Sequence, residues 1–282
     1  MHAKLNRLLK MKLTHFCLLI STLLPSILMA GEHDGLEISL IAESKTITPG
    51  KPVTLGVHLK HKPGFHTYWK SPGIVGMPTQ LEWKLPDGFS VSEIQWPYPE
   101  KSFMAEYSCH GYERDVTLLV TLNPPKTIST DSISVEAFAS WMCCAKECFP
   151  GTETLKLPLQ VSDTPVASPV HLKLIEQARQ QIPKANPLWK ASVLSKIGAP
   201  QIKVLIRPPR NTKPKNIYLF SEDGQISSDK KQLITYQEDG SIIVTVPRSE
   251  LDDAKSTNLP LILKADNQYV SICPVYKNLH SQ

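Results

Sequence analysis

Beyond residue 30 the chain has no apolar run approaching the roughly 18 consecutive residues a helical membrane span requires, so no transmembrane segment is expected. Acidic residues are missing from residues 1–30. That stretch instead carries Lys4, Arg7, Lys10 and Lys12, then an apolar run from Leu13 to Leu28 broken by Thr14, His15, Ser21, Thr22, Pro25 and Ser26. This is the pattern of a secretory signal peptide, with cleavage expected after Ala30. Phe16 stands where a lipid-attachment motif before Cys17 needs a small residue, so no lipid anchor is expected. The mature chain is therefore read as exported, soluble and outside the reducing cytosol. A surplus of one charge sign is lacking too. Of 31 Lys+Arg against 26 Asp+Glu, the leader removes four bases and no acid, leaving a net charge of +1. That balance excludes nucleic acid and anionic membrane surfaces as expected partners. Nor is there a hydrolase nucleophile elbow, a phosphate loop or a paired-carboxylate pattern.

What is plentiful is proline, 24 of 282 residues, scattered among short apolar runs in a way that suits strands and turns better than helices. Apolar residues take every second place in Val53-Leu55-Val57-Leu59, Val116-Leu118-Val120-Leu122 and Leu155-Leu157-Leu159-Val161, the period of half-buried strands. Leu36-Ile38-Leu40 and Leu81-Trp83-Leu85 add two more, with turns at Pro49-Gly50, Pro63-Gly64, Pro72-Gly73 and Pro86-Asp87-Gly88. This punctuation predicts a β-sandwich. From Ser162 to Pro169 the composition becomes that of a linker. Ser168 and Pro169 then open a helix whose apolar residues Val170, Leu174, Ile175, Ala178 and Ile182 recur at helical spacing until Pro183. Alternation resumes at Ile202-Val204-Ile206, Ile217-Leu219, Ile242-Val244-Val246, Leu261-Leu263 and Val270-Ile272. The expected architecture is all-β, with two β-sandwich domains joined by a short helix-containing linker; the resemblance described below makes them immunoglobulin-like. Its expected boundaries are residues 1–30 for the signal peptide, 31–163, 164–190 for linker and helix, and 191–282.

Five cysteines survive removal of the leader: Cys109, Cys143, Cys144, Cys148 and Cys273. An odd number leaves at least one without an intramolecular partner. If Ala145-Lys146-Glu147 is a hairpin loop, Cys144 and Cys148 face each other across the strands at disulfide distance. Strand parity puts Ile133, Val135, Ala137, Ala139, Trp141 and Cys143 on one face and Ser134, Glu136, Phe138, Ser140, Met142 and Cys144 on the other. The first face is apolar, so Cys143 is expected buried and Cys144 accessible, which favours Cys144 as the reacting sulfur. Closing so short a loop stabilises a fold by only about 2 kcal/mol. A staple that weak is easy to justify as a working redox pair, but many secreted domains carry local structural disulfides, so residue type alone leaves both readings open.

Several motifs occur in one order: His66-Thr67-Tyr68-Trp69-Lys70-Ser71-Pro72-Gly73, the run from Met77 to Gly88, Trp96-Pro97-Tyr98-Pro99, Gly111-Tyr112-Glu113, and Cys144-x-x-x-Cys148 with Pro150-Gly151 behind it. Together they resemble the N-terminal periplasmic domain of DsbD-type thiol:disulfide interchange proteins, most of all the ScsB branch associated with suppression of copper sensitivity. The resemblance spans most of residues 34–161. It continues more weakly through the helix and Phe220-Ser221-Glu222-Asp223-Gly224 into the second half. It implies an immunoglobulin-like sandwich whose cysteine pair, here Cys144 and Cys148, takes electrons from a membrane-embedded thiol electron-transfer protein. The pair would pass them to periplasmic thioredoxin-fold proteins. A shielding cap is implied around Phe103 to His110, bringing Phe103, Tyr107, Cys109 and Cys143 around the pair. The transmembrane and thioredoxin domains usual in that family do not occur in this sequence, and Cys109 and Cys143 are additional thiols.

Other expectations follow from residue type. His66, Tyr68 and Trp69 are read as packing at a strand end, Trp83 and Trp96 as core, and Cys273 as a buried free thiol. No resident cofactor is expected besides the disulfide. An alternative is a copper-tolerance module, since Met142 and His110 with Cys109, Cys143, Cys144 and Cys148 offer soft donors for Cu(I), the four cysteines being the metal set. A non-catalytic immunoglobulin-like adaptor is a third reading.

Overall fold

The computed structural model describes residues 31–276; the expected signal peptide, with Cys17, lies outside the described residues. The expected strands are present. One sheet takes the order 31–33, 36–42, 53–61, 116–123, 90–91, and a second takes 46–47, 148–161, 132–144, 80–84. Alternation turns Leu36, Ile38, Leu55, Val57, Leu118 and Val120 of the first sheet inward. They meet Val135, Ala137, Ala139, Leu155 and Leu157 of the second in a continuous core. Each large aliphatic side chain so buried contributes about 1.5–3 kcal/mol before entropy is counted. The mostly-strand fold expected from the alternation is thus observed, and it is consistent with the immunoglobulin-like sandwich that the resemblance implies. Trp83 and Trp96 pack partly buried against this core, at its margin rather than within it.

The helix runs Pro169–Gln181, with Pro169 in its first turn as its φ preference favours. Ser168 holds the N-cap position, but its side chain makes no cap hydrogen bond. Ile175 and Ala178 pack against Ile41 and Leu119, so the helix covers the outward face of the first sheet. The second half builds two four-stranded sheets, 184–185, 268–272, 261–265, 217–221 and 190–193, 201–207, 242–247, 233–236. Between them lies a separate cluster that includes Ile202, Val204, Leu219, Val244, Leu261 and Leu263.

The halves also share packed surface. Phe220 and Ile262 belong to the first core, Tyr98 stacks on Tyr269 with ring centroids 3.8 Å apart, and Lys70 Nζ pairs with Glu222 at 2.8 Å. Cys273 is exposed, correcting the expected buried thiol. Val270 and Ile272 face the core, so the alternation turns Cys273, at the next position, outward as the strand ends before Pro274.

A third, three-stranded sheet of residues 67–68, 107–112 and 100–104 lies against one end of the sandwich. Its approach depends on Gly111, where a Cβ would stand 2.2 Å from the Thr67 carbonyl oxygen. The second half holds this sheet from behind. The Ser228 hydroxyl donates to Ser108 O at 2.9 Å and accepts from the Ile74 amide at 3.3 Å. His110 Nε2 and the Tyr218 hydroxyl are 3.0 Å apart.

Candidate functional site

The two longest strands, Ser132–Cys144 and Cys148–Val161, form one antiparallel hairpin in which Cys144 registers directly against Cys148. Ala145-Lys146-Glu147 is the loop between them, closed by the Ala145 amide donating to Glu147 O at 2.9 Å. The cysteines are joined in a disulfide with Cα atoms 4.1 Å apart, the close approach of directly opposed strand residues. Pairing and loop are as the spacing predicts.

Cys143 is buried as strand parity predicts, but Cys144, predicted accessible, is not. Cys144 is 0% exposed and Cys148 is exposed. Parity does place Cys143 in the sandwich core and Cys144 on the opposite face, but that face is not left to solvent. The chain at His66 adds itself to the hairpin tip: the His66 amide donates to Cys144 O and the Cys144 amide to His66 O, each at 2.9 Å. Two residues on, Tyr68 turns its side chain the same way. Its hydroxyl donates to Cys144 Sγ at 3.0 Å and lies 4.0 Å from Cys148 Sγ. Tyr68, Cys109 and Cys144 make a small buried cluster, with Val75, Met104 and Met142 at its edge.

The implied cap is a hairpin of Glu100–Met104 and Tyr107–Tyr112, with Ala105 in the left-handed region at its tip (φ 51°). Register pairs Ser102 with Cys109, Phe103 with Ser108 and Met104 with Tyr107. Ser102 and Met104 therefore share the inner face, and Met104 Sδ rests 3.6 Å from Cys148 Sγ. Phe103 points to the other face and is 57% exposed, with Lys101 Nζ above its ring. Tyr107, at the tip beside Met104, is half exposed. Cys109, on the second strand of the cap opposite Ser102, is wholly buried.

Burial sets the electrostatics. It pushes the Cys109 and Cys143 thiols each up to about 11, so neither is a thiolate near neutral pH. Burial also pushes His66 below the usual imidazole range, keeping it neutral beside Cys144. Its Nε2 is buried without a hydrogen-bond partner. Among the described residues no three His, Cys, Asp or Glu side chains are gathered as a metal would need. The four cysteines read as an alternative metal set are not gathered in this way, because Cys143 faces into the sandwich core while Cys109 of the cap strand packs with Cys144 on the other side.

Three residues central to this geometry did not stand out as functional in the sequence. Met104 carried no signal beyond lying in the implied cap. His66 and Tyr68 did carry one, since their separation by two on a strand aims both at the same side, yet aromatic strand-end residues read more readily as packing.

Fold and site together define an immunoglobulin-like sandwich carrying a half-exposed disulfide at a hairpin tip. Residues 39–160 match the family model of the thiol:disulfide interchange protein DsbD, N-terminal, and this stretch of the chain carries that family's pattern. Among solved structures, the N-terminal periplasmic domain of ScsB from Proteus mirabilis superposes with a TM-score of 0.66 at 17% identity, over 87% of this chain and 95% of that one. The likeness in fold thus runs well past residue 160. No curated protein matches the sequence.

Proposed function

We propose that this protein performs thiol–disulfide exchange in the periplasm, relaying electrons from a membrane-embedded dithiol partner to thioredoxin-fold proteins through Cys144 and Cys148. The observation that carries the reading is the asymmetry of the disulfide, with Cys148 an exposed residue and Cys144 fully buried. A partner thiolate attacks Cys148, forming a partner–Cys148 disulfide and expelling Cys144 as thiolate. The partner's second thiol, as thiolate, then attacks its own sulfur in that mixed disulfide. This closes the partner's disulfide and releases Cys148, so two electrons have passed to the pair. In the outgoing step the Cys148 thiolate attacks a thioredoxin-fold disulfide, and Cys144 displaces the product from the mixed disulfide. The match to the DsbD N-terminal family supports this direction of flow, and the leader-like residues 1–30 support export. The working division of the chain is a site-bearing sandwich at 31–163, a helical segment at 164–190 and a smaller sandwich from 191.

Trapping tests it. Cys144→Ser, mixed with an oxidised thioredoxin-fold protein, is expected to accumulate a covalent adduct through Cys148, located by peptide mass spectrometry. Absence of that adduct, or its appearance on Cys109 or Cys273 instead, contradicts the proposal.

A further inference from the structure

The sulfur that leaves when Cys148 is attacked is the buried one. At 0% exposure, Cys144 Sγ has no water to solvate a developing negative charge. Its own amide is committed to His66 O. Cations do not supply the need: His66 on the adjoining segment is held neutral by burial, and Lys146 stands exposed in the turn beside Glu147. Cys109 from the cap strand keeps its proton to about 11, and Glu113, just beyond that strand, is acidic. What does reach Cys144 Sγ is the Tyr68 hydroxyl, at 3.0 Å.

We propose that Tyr68 is a catalytic group of the exchange, its hydroxyl donating a hydrogen bond that stabilises Cys144 as the departing thiolate. The inference rests on the reading of Cys144–Cys148 as the exchanging pair. No atom beyond those of the exchange is consumed: the attacking thiolate bonds to Cys148, the Cys144–Cys148 bond breaks, its electron pair goes to Cys144, and Tyr68 keeps its proton. Burial raises the Tyr68 pKa, so the hydroxyl remains a donor across the working pH range. The ring is also held in place. The His66 ring meets it edge-on with centroids 5.1 Å apart, and Gly76 closes over its other side, where a Cβ would come within 2.1 Å of the ring. A donor fixed before the charge develops need not reorganise as it forms. A leaving thiol of lower pKa departs faster.

Tyr68→Phe keeps the ring and removes one oxygen. Opening of the disulfide by dithiothreitol, followed from pH 6 to 9, is expected to slow about tenfold, the scale of one charge-assisted hydrogen bond. In the reduced protein, the absorbance of the Cys144 thiolate is expected to appear at higher pH than in the wild type. A merely structural tyrosine predicts the opposite, because loosening the cluster exposes the sulfur and speeds opening. Equal or faster opening with an unmoved thiolate titration therefore overturns the proposal. If the variant does not fold, wild-type protein labelled at the tyrosine Cζ carbons decides. One resonance is expected to shift with the Cys144 thiolate titration, and no such shift contradicts the assignment. Because dithiothreitol replaces the biological partner, failure of the relay reading in the trapping experiment leaves this result separately readable.

Discussion

Met104 Sδ lies 3.6 Å from Cys148 Sγ, so the exposed sulfur of the disulfide is met from the cap side by a flexible thioether at the hairpin tip. A thioether shields by packing and makes no strong bond to either redox state. Met104→Ala is expected to raise the rate of disulfide opening by glutathione about threefold to tenfold while leaving the equilibrium between disulfide and dithiol nearly unchanged. Stopped-flow reduction alongside an equilibrium titration reads both. An unchanged rate means that Met104 does not guard Cys148.

The cap strand is tied to the second half through His110, which is 2% exposed and pushed by burial down to about 4. In the unfolded chain an imidazole titrates near 6.5. Between these values the unfolded chain binds the extra proton, so stability is fully present above about pH 6.5 and is lost as pH falls toward 4. At pH 5 the loss from this one group is about 2 kcal/mol. Urea denaturation of the wild type at pH 7 and pH 5 is expected to show about that much more destabilisation than the same pair of measurements on His110→Gln. Buried His61, also pushed down to about 4, contributes equally to both proteins and drops out of the comparison.

The strands were legible because a sheet buried on one face writes a period of two into the chain, as in Val53-Leu55-Val57-Leu59. The helix was legible because Pro169 and Pro183 bracket a 3.6-residue pattern. The Cys144–Cys148 pairing followed from loop length alone. What the alternation could not reveal is what covers a face. It assigned Cys143 and Cys144 to opposite sides correctly, yet the side of Cys144 is closed by Tyr68 and by the hairpin of residues 100–112. Those segments are distant in sequence and are brought there by the pairing of His66 with Cys144. Contacts such as Ser228 with Ser108, 120 residues apart, leave no periodic trace at all.

Whether Cys144–Cys148 is a working redox pair is read most directly by holding the protein from residue 31 onward in a series of glutathione redox buffers and mapping its disulfides by mass spectrometry. Cys144–Cys148 is expected to open between about −120 and −250 mV, the working range of thiol-exchange proteins, with Cys109 and Cys143 remaining unpaired. A bond that survives below about −300 mV is a structural staple, and the pair is then no electron relay.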